Sequence, residues 1–199
     1  MNFYAHKIYK LFLATVFSLT AITTVFGGKA VDGQYKIDPA HSTVLFTVSH
    51  LGYSDLTGRF DKFEGSFQLN AKGNSQVVFS VDTASVDTNH AKRDTHLRGP
   101  DFFNAKQFPQ IRFVSSKVDY DASGLPVKVT GKLNLHGVSK AVTFTVKAVG
   151  AGKDPWGGYR AGYNAHAVIK RSEFGMNYMP GGIGNKVTIT LNIEAIRQK

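Results

Sequence analysis

Cysteine is absent from the 199 residues. Disulfides, thiolate metal sites, a cysteine nucleophile and a lipidated N-terminal cysteine are therefore excluded. Common catalytic signatures are missing too: there is no G-x-S-x-G, P-loop, G-x-G-x-x-G or H-E-x-x-H. No segment has the ~20 consecutive apolar residues that a spanning helix needs. Tryptophan occurs once, as Trp156, and acids are scarce, 14 against 24 Lys and Arg, for a formal charge of +10. The rest is globular in composition, 42% hydrophobic and 19% charged. The length suits one domain, or two small ones. The 15 Phe are enough to fill a sizeable core.

The N-terminus reads as an export signal. Met1 to Lys10 carries Lys7 and Lys10 and no acid, and Leu11 to Phe26 is apolar, interrupted only by Ser and Thr. Gly28 and Ala30 put small residues at the −3 and −1 positions of a cut after Ala30. This is the three-part form of a secretory signal peptide. A cut after Gly27 and an uncleaved anchor are the alternatives. The expected organisation is a signal peptide at 1–30 and one domain at 31–199. Export removes Lys7, Lys10 and Lys29 but no acid, so 24 basic residues become 21 against 14 acids, a formal +7. An exported chain meets little nucleic acid, and none is expected as a partner. The charge is read as a solvated basic surface, or as one drawn transiently to anionic lipid head groups.

Beyond residue 31 the pattern is β. Val44, Phe46 and Val48 alternate with polar neighbours, as do Phe63, Gly65, Phe67 and Leu69. The same period recurs in Val127 to Leu135, Val142 to Ala148, Ala161 to Ile169 and Val187 to Ile193. Alternation means one buried face and one wet face. Segments 76–86 and 110–120 change parity midway, which predicts bulges. Eight strands are expected, near 41–51, 58–70, 76–87, 109–119, 126–136, 140–150, 158–170 and 186–197. Short connectors favour antiparallel neighbours, in a sandwich or, better, an up-and-down barrel. Small residues on inward faces, among them Gly65, Gly131, Ala148 and Ala165, leave room for a ligand, unless Phe residues opposite fill it. Between strands three and four, Asn89 to Arg98 predicts a helix stopped by Gly99-Pro100. Only Ala91 and Leu97 in it are apolar, so polar contacts to the barrel or to a ligand must hold it. The following Asp101-Phe102-Phe103 reads as an aromatic plug.

Polar residues at the ends of apolar faces are the site candidates. His50 continues the face of Val44, Phe46 and Val48, and Arg59 that of Phe63 and Phe67. Arg59 at a barrel mouth would bind a phosphate or carbonyl head group; alternatively it pairs with Asp55 or Asp61. Asn89, Arg93 and His96 form a second polar group, read either as head-group contacts or as helix caps and internal ion pairs. Asp87, His90 and His96 would supply acid and base groups if the barrel were an enzyme. His90 and His96 are badly spaced for a metal pair, and no metal is expected. Trp156, in Asp154-Pro155-Trp156-Gly157-Gly158, is read as covering a barrel end.

Several stretches together resemble one family. They are YKID (Tyr35 to Asp38), HSTVLFTVSHLGY (His41 to Tyr53), GRFDKFEGSF (Gly58 to Phe67), ASVDTNHAKRDTHLRGPDFFNAKQFPQIRF (Ala84 to Phe113), GKLNLHGVSKAV (Gly131 to Val142), DPWGGYRAGY (Asp154 to Tyr163) and RSEFGM (Arg171 to Met176). In this order they resemble the YceI-like, polyisoprenoid-binding family. Ala141 and Glu173 depart from its usual residues. The resemblance implies an all-β fold, an eight-stranded antiparallel lipocalin-like barrel with a short helical insertion between the third and fourth strands. It implies a non-enzymatic periplasmic carrier, monomer or homodimer, with no cofactor beyond a bound isoprenoid lipid such as an isoprenoid quinone or a polyprenyl diphosphate. On that reading the tail lies along Phe46, Val48, Phe67, Phe79, Phe113, Phe144, Tyr163, Ala165 and Leu191, and the head meets His50, Arg59, Asn89, Arg93 and His96. The alternatives are a lipid-acting enzyme and a fully packed, stress-related exported protein.

Overall fold

A computed structural model describes residues 32–199. The expected signal peptide at 1–30, with its cleavage site, lies outside the described residues. The strands are β1 (Gly33–Ile37), β2 (Thr43–His50), β3 (Ser54–Phe60), β4 (Phe63–Leu69), β5 (Gln76–Asp82), β6 (Val86–Asp87), β7 (Gln110–Tyr120), β8 (Pro126–Leu135), β9 (Val138–Lys153), β10 (Tyr159–Lys170) and β11 (Ile183–Arg197). One helix, α1 (Ala91–Arg98), separates β6 from β7. No helix among the described residues is long and apolar enough to cross a membrane.

The eleven segments make an eight-stranded barrel because three of its strands are broken. β11 pairs with β1 at Ala195–Arg197 and with β2 at Val187–Asn192. β1 and β2 are thus two halves of one strand, parted by the Pro39–His41 turn. β3 and β4 are parted at Asp61 and Lys62 in the same way; β3 pairs with β2 and β4 with β1. β5 continues into β6 through the Thr83–Ser85 turn. The β1–β11 pairing closes the ring, and every strand pair in it is antiparallel.

Both parity changes in the sequence have a structural cause. In 76–86 it is the Thr83–Ser85 turn. In β7 it is a register shift between Ser115 and Lys117, a bulge. The strand expected at 58–70 is corrected: it starts at Ser54 and breaks at Asp61, so parity does not carry from Phe63 back to Arg59. Gly58 and Phe60 face inward instead. The half-strand β1 escaped the sequence reading because only Tyr35 and Ile37 in its five residues carry the apolar face.

The helix is held by polar bonds. Thr88 donates from its backbone N and from Oγ1 to Asp94 Oδ1, at 2.9 and 2.5 Å. Arg93 donates to Thr88 Oγ1 and O at 2.7 and 2.6 Å, and Arg98 to the carbonyls of Ala84 and Val86 at 2.7 and 3.0 Å. These satisfy a short helix with almost no apolar stripe. Burial pushes the Asp94 carboxyl up, but the Thr88 bonds and nearby Arg98 outweigh it, and its pKa is lowered.

Candidate functional site: a barrel cavity with a polar mouth

The barrel encloses a cavity of about 460 Å³. The reading of a fully packed barrel is therefore corrected. Its long wall is built by β10 and β11, which pair from Arg160–Ile196 to Lys170–Lys186. β10 presents Tyr163, Ala165 and Ile169 to the cavity, and β11 presents Val187, Ile189, Leu191 and Ile193. Those four β11 residues point inward yet are only half-buried, because they face space. The other walls carry Phe67, Phe79, Phe113 and Phe144, from β4, β5, β7 and β9. Phe113 and Phe144 meet edge-on at 5.2 Å, and Phe67 meets Tyr163 edge-on at 5.7 Å.

The small inward residues divide into two kinds. A Cβ on Gly131 would lie 2.6 Å from Phe113 Cζ and 2.7 Å from Ser115 Cα, and one on Gly58 would strike the Phe46 ring. The Phe113 ring and the Val114 and Ser115 backbone occupy the first place, and the Phe46 ring the second. Ala165, by contrast, lines the cavity. Burial raises the Tyr163 phenol above its ordinary value, so its hydroxyl stays protonated across the physiological range.

One end of the cavity is polar. Ser49 and His50 from β2, Arg93 and His96 from α1, and Arg171, Tyr178 and Met179 from the segment between β10 and β11 line it there. Phe102 and Phe103 complete this rim. The His96 ring stands edge-on to Phe102 at 5.0 Å and to Tyr178 at 5.1 Å, while Nε2 bonds Asp101 at 2.8 Å. Phe103 packs on Phe60 and Phe46 at 5.4 and 6.1 Å. The aromatic plug read from the sequence is thus part of the mouth. Arg171 is buried, 6% exposed, and donates to the carbonyls of Gly184, Met176 and Ile183 at 3.0, 2.6 and 3.0 Å. Its burial lowers its pKa. Among the described residues no Asp or Glu lines the cavity. Arg171 is spent on its three carbonyls and His96 on Asp101, which leaves His50 and the remaining N–H donors of Arg93 to face the cavity, a mouth suited to oxygen-rich groups.

The structure brings twelve of the fourteen predicted residues to this cavity: Phe46, Val48, His50, Phe67, Phe79, Arg93, His96, Phe113, Phe144, Tyr163, Ala165 and Leu191. Two expectations are corrected. Arg59 points outward, and its guanidinium is held by Asp61 at 2.9 Å and Asp87 at 3.0 Å. Asn89 is exposed in a left-handed turn (φ 60°), its N–H donating to Asp87 Oδ1. Both miss the cavity because the break at Asp61 reverses the parity on which Arg59 was placed, and because Asn89 precedes the helix. Of the acid and base candidates, Asp87 is engaged by Arg59, and the Nδ1 of His90 accepts from Arg93 N as the cap of α1. Trp156 does not cover the barrel end; it is 77% exposed, with Arg160 5.4 Å from its ring. Arg171, Tyr178 and Met179 were not singled out from the sequence. The signal available was the RSEFGM stretch, whose Arg lies at the end of an apolar face.

Comparison with known proteins agrees with this geometry. Residues 35–195 match the YceI-like domain. Protein YceI of Escherichia coli is 41% identical over 190 residues, covering 93% of this chain and 98% of that one. The crystal structure of BcnA from Burkholderia cenocepacia superposes with a TM-score of 0.69 at 26% identity, covering 79% and 98% of the two chains. A polyisoprenoid-binding domain from Saccharophagus degradans shares the fold at 16% identity, with a TM-score of 0.64 and coverage of 82% and 98%. The motifs, the closed barrel and the matched span together make this chain a member of the YceI-like family.

Proposed function

We propose that the protein is a periplasmic carrier that holds a long-chain isoprenoid lipid in the barrel, tail inward and head group at the α1 mouth, and does no chemistry on it. The carrying observation is the cavity itself: apolar walls, cationic groups at one end and a volume of about 460 Å³, within the ~300–1,000 Å³ of typical ligand sites. Each buried CH₂ of a tail contributes roughly 0.8 kcal/mol. An isoprenoid quinone or a polyprenyl diphosphate has both a long apolar tail and acceptor oxygens to match Arg93 and His50. The shared fold with a polyisoprenoid-binding domain supports the ligand class, and the N-terminal export pattern supports the compartment. With Asp87 and His90 engaged elsewhere, His96 is the one acid–base candidate left at the mouth.

Organic extraction of the purified protein followed by mass spectrometry is the test. A co-purifying isoprenoid lipid, or uptake of added polyprenyl compounds, is the expected result. Repeated absence of both overturns the proposal. Turnover of a prenyl diphosphate, lost in His96→Ala, would establish the enzyme instead.

A further inference from the structure

Seven large apolar side chains are exposed among the described residues; Val149 and Val168 stand singly on β9 and β10 and Trp156 on the β9–β10 turn, and the other four lie together. Leu51, Tyr53, Tyr178 and Met179 are 44%, 89%, 40% and 43% exposed. All four sit at the cavity mouth. Leu51 and Tyr53 belong to the turn between β2 and β3, and Leu51 N–H donates to Gly182 O at 2.7 Å, tying that turn to the segment that carries Tyr178 and Met179. Tyr178 and Met179 belong to both surfaces, exposed on the rim and lining the cavity. The apolar wall therefore continues out of the barrel onto its face, where it is unshielded. Contiguous exposed apolar surface of this kind marks a contact with a partner or a membrane.

The surrounding charge selects between them. The segments that carry the rim also carry Lys92, Lys106 and Lys186, none with an acidic partner among the described residues, whereas Asp101 is paired with His96 and Glu173 with Lys170. Asp55 is the exposed acid in the same region. Apolar side chains on segments that also carry unpaired lysines fit the interface of an anionic bilayer: the apolar groups enter the acyl boundary and the lysines meet the head groups.

We propose that the mouth docks on anionic lipid bilayers through Leu51, Tyr53, Tyr178 and Met179, so that the cavity opens against the membrane and a lipid passes between the two without crossing water. This rests on the carrier reading for its purpose, but its test is separate. The purified protein is sedimented with vesicles of phosphatidylethanolamine and phosphatidylglycerol, and with vesicles of phosphatidylcholine alone. Binding to the first, weakened by salt, is expected. Tyr53→Ser and Met179→Ser should each weaken partition about tenfold, with thermal unfolding unchanged. Trp156→Ser, at the opposite end of the barrel, should leave it unchanged. In a Trp156→Phe background, Tyr53→Trp should show blue-shifted emission on the vesicles, and Trp156 in the parent protein should not. Equal partition of the wild type and the Tyr53→Ser and Met179→Ser variants, or a blue shift of Trp156, overturns the docking face. Lipid content measured on the same preparations separates the two proposals: a loaded protein that ignores vesicles sinks docking alone, and an empty protein that binds them sinks the carrier reading alone.

Discussion

Ala165 stands on β10 with Leu191 as its register partner on β11, and both face the cavity. Ala165→Phe should place a ring in that space. Uptake of a polyprenyl compound is expected to fall, while stability changes by no more than about 1 kcal/mol, since the added ring enters the cavity. Unchanged loading would mean that the cavity is not where the lipid goes. Gly131 makes the opposite case. The place a Cβ would take there is filled by the Val114 carbonyl, the Phe113 ring and the Ser115 backbone of the bulge. Gly131→Ala forces backbone to move, and a loss of about 1–3 kcal/mol in urea unfolding is expected. The sequence offers both as small residues on an inward face; only the residues across the barrel tell them apart.

At the scale of elements, the segment between β10 and β11 depends on Arg171. Its guanidinium gathers three backbone carbonyls from the stretch that carries Tyr178 and Met179. Arg171→Met keeps the volume and removes the bonds. A loss of about 2–3 kcal/mol is expected, with amide hydrogen exchange accelerating in 176–184 before it does in β7 or β8. Uniform acceleration over the whole barrel would contradict a local clamp. The sequence shows Arg171 following the apolar face of β10, but the carbonyls that receive it lie up to thirteen residues away. A folded turn brings them together, and no local pattern announces it.

The whole molecule is closed at the far end by charge. Arg160 bonds Asp38 at 2.7 Å, Asp154 at 3.0 Å and Glu194 at 2.5 Å, joining the turn after β1, the β9–β10 turn and β11. Asp38, His41 and Glu194 have ligand atoms within 4.8 Å of one another, but Arg160 already neutralises the two acids. The Arg160 bond, with help from His41, holds the Asp38 carboxyl at about 2, below its ordinary 3.8. Burial raises Asp154, yet bonds from Gly158 and Arg160 leave it lowered too. A lowered carboxylate contributes stability above its ordinary pKa and loses it as pH falls through the folded value. Unfolding free energy should therefore decline from about pH 4 towards pH 2. Arg160→Met should make that decline shallower, because Asp38 returns toward its unfolded value. Urea titrations across this range check both slopes, and an unchanged slope in the variant would remove the barrel-closing role.

Local pattern was sufficient for much of this protein. Period-two alternation predicts the long strands β8, β9, β10 and β11, because each has one face in the barrel and one in water. The absence of an apolar stripe predicts that polar bonds hold α1, and face parity places Phe46, Val48, His50, Phe67, Phe144, Tyr163, Ala165 and Leu191 on the cavity wall. Parity fails where a strand breaks: the two-residue interruption at Asp61 leaves little mark on composition and puts Arg59 on the wrong face, while β1, with two apolar residues in five, is too short to show a period. What only the tertiary structure decided is which small residues border space, where β1 meets β11 to close the ring, and that Leu51, Tyr53, Tyr178 and Met179 come together at the mouth. Each depends on distant segments meeting across the barrel, a relation that spacing along one strand does not carry.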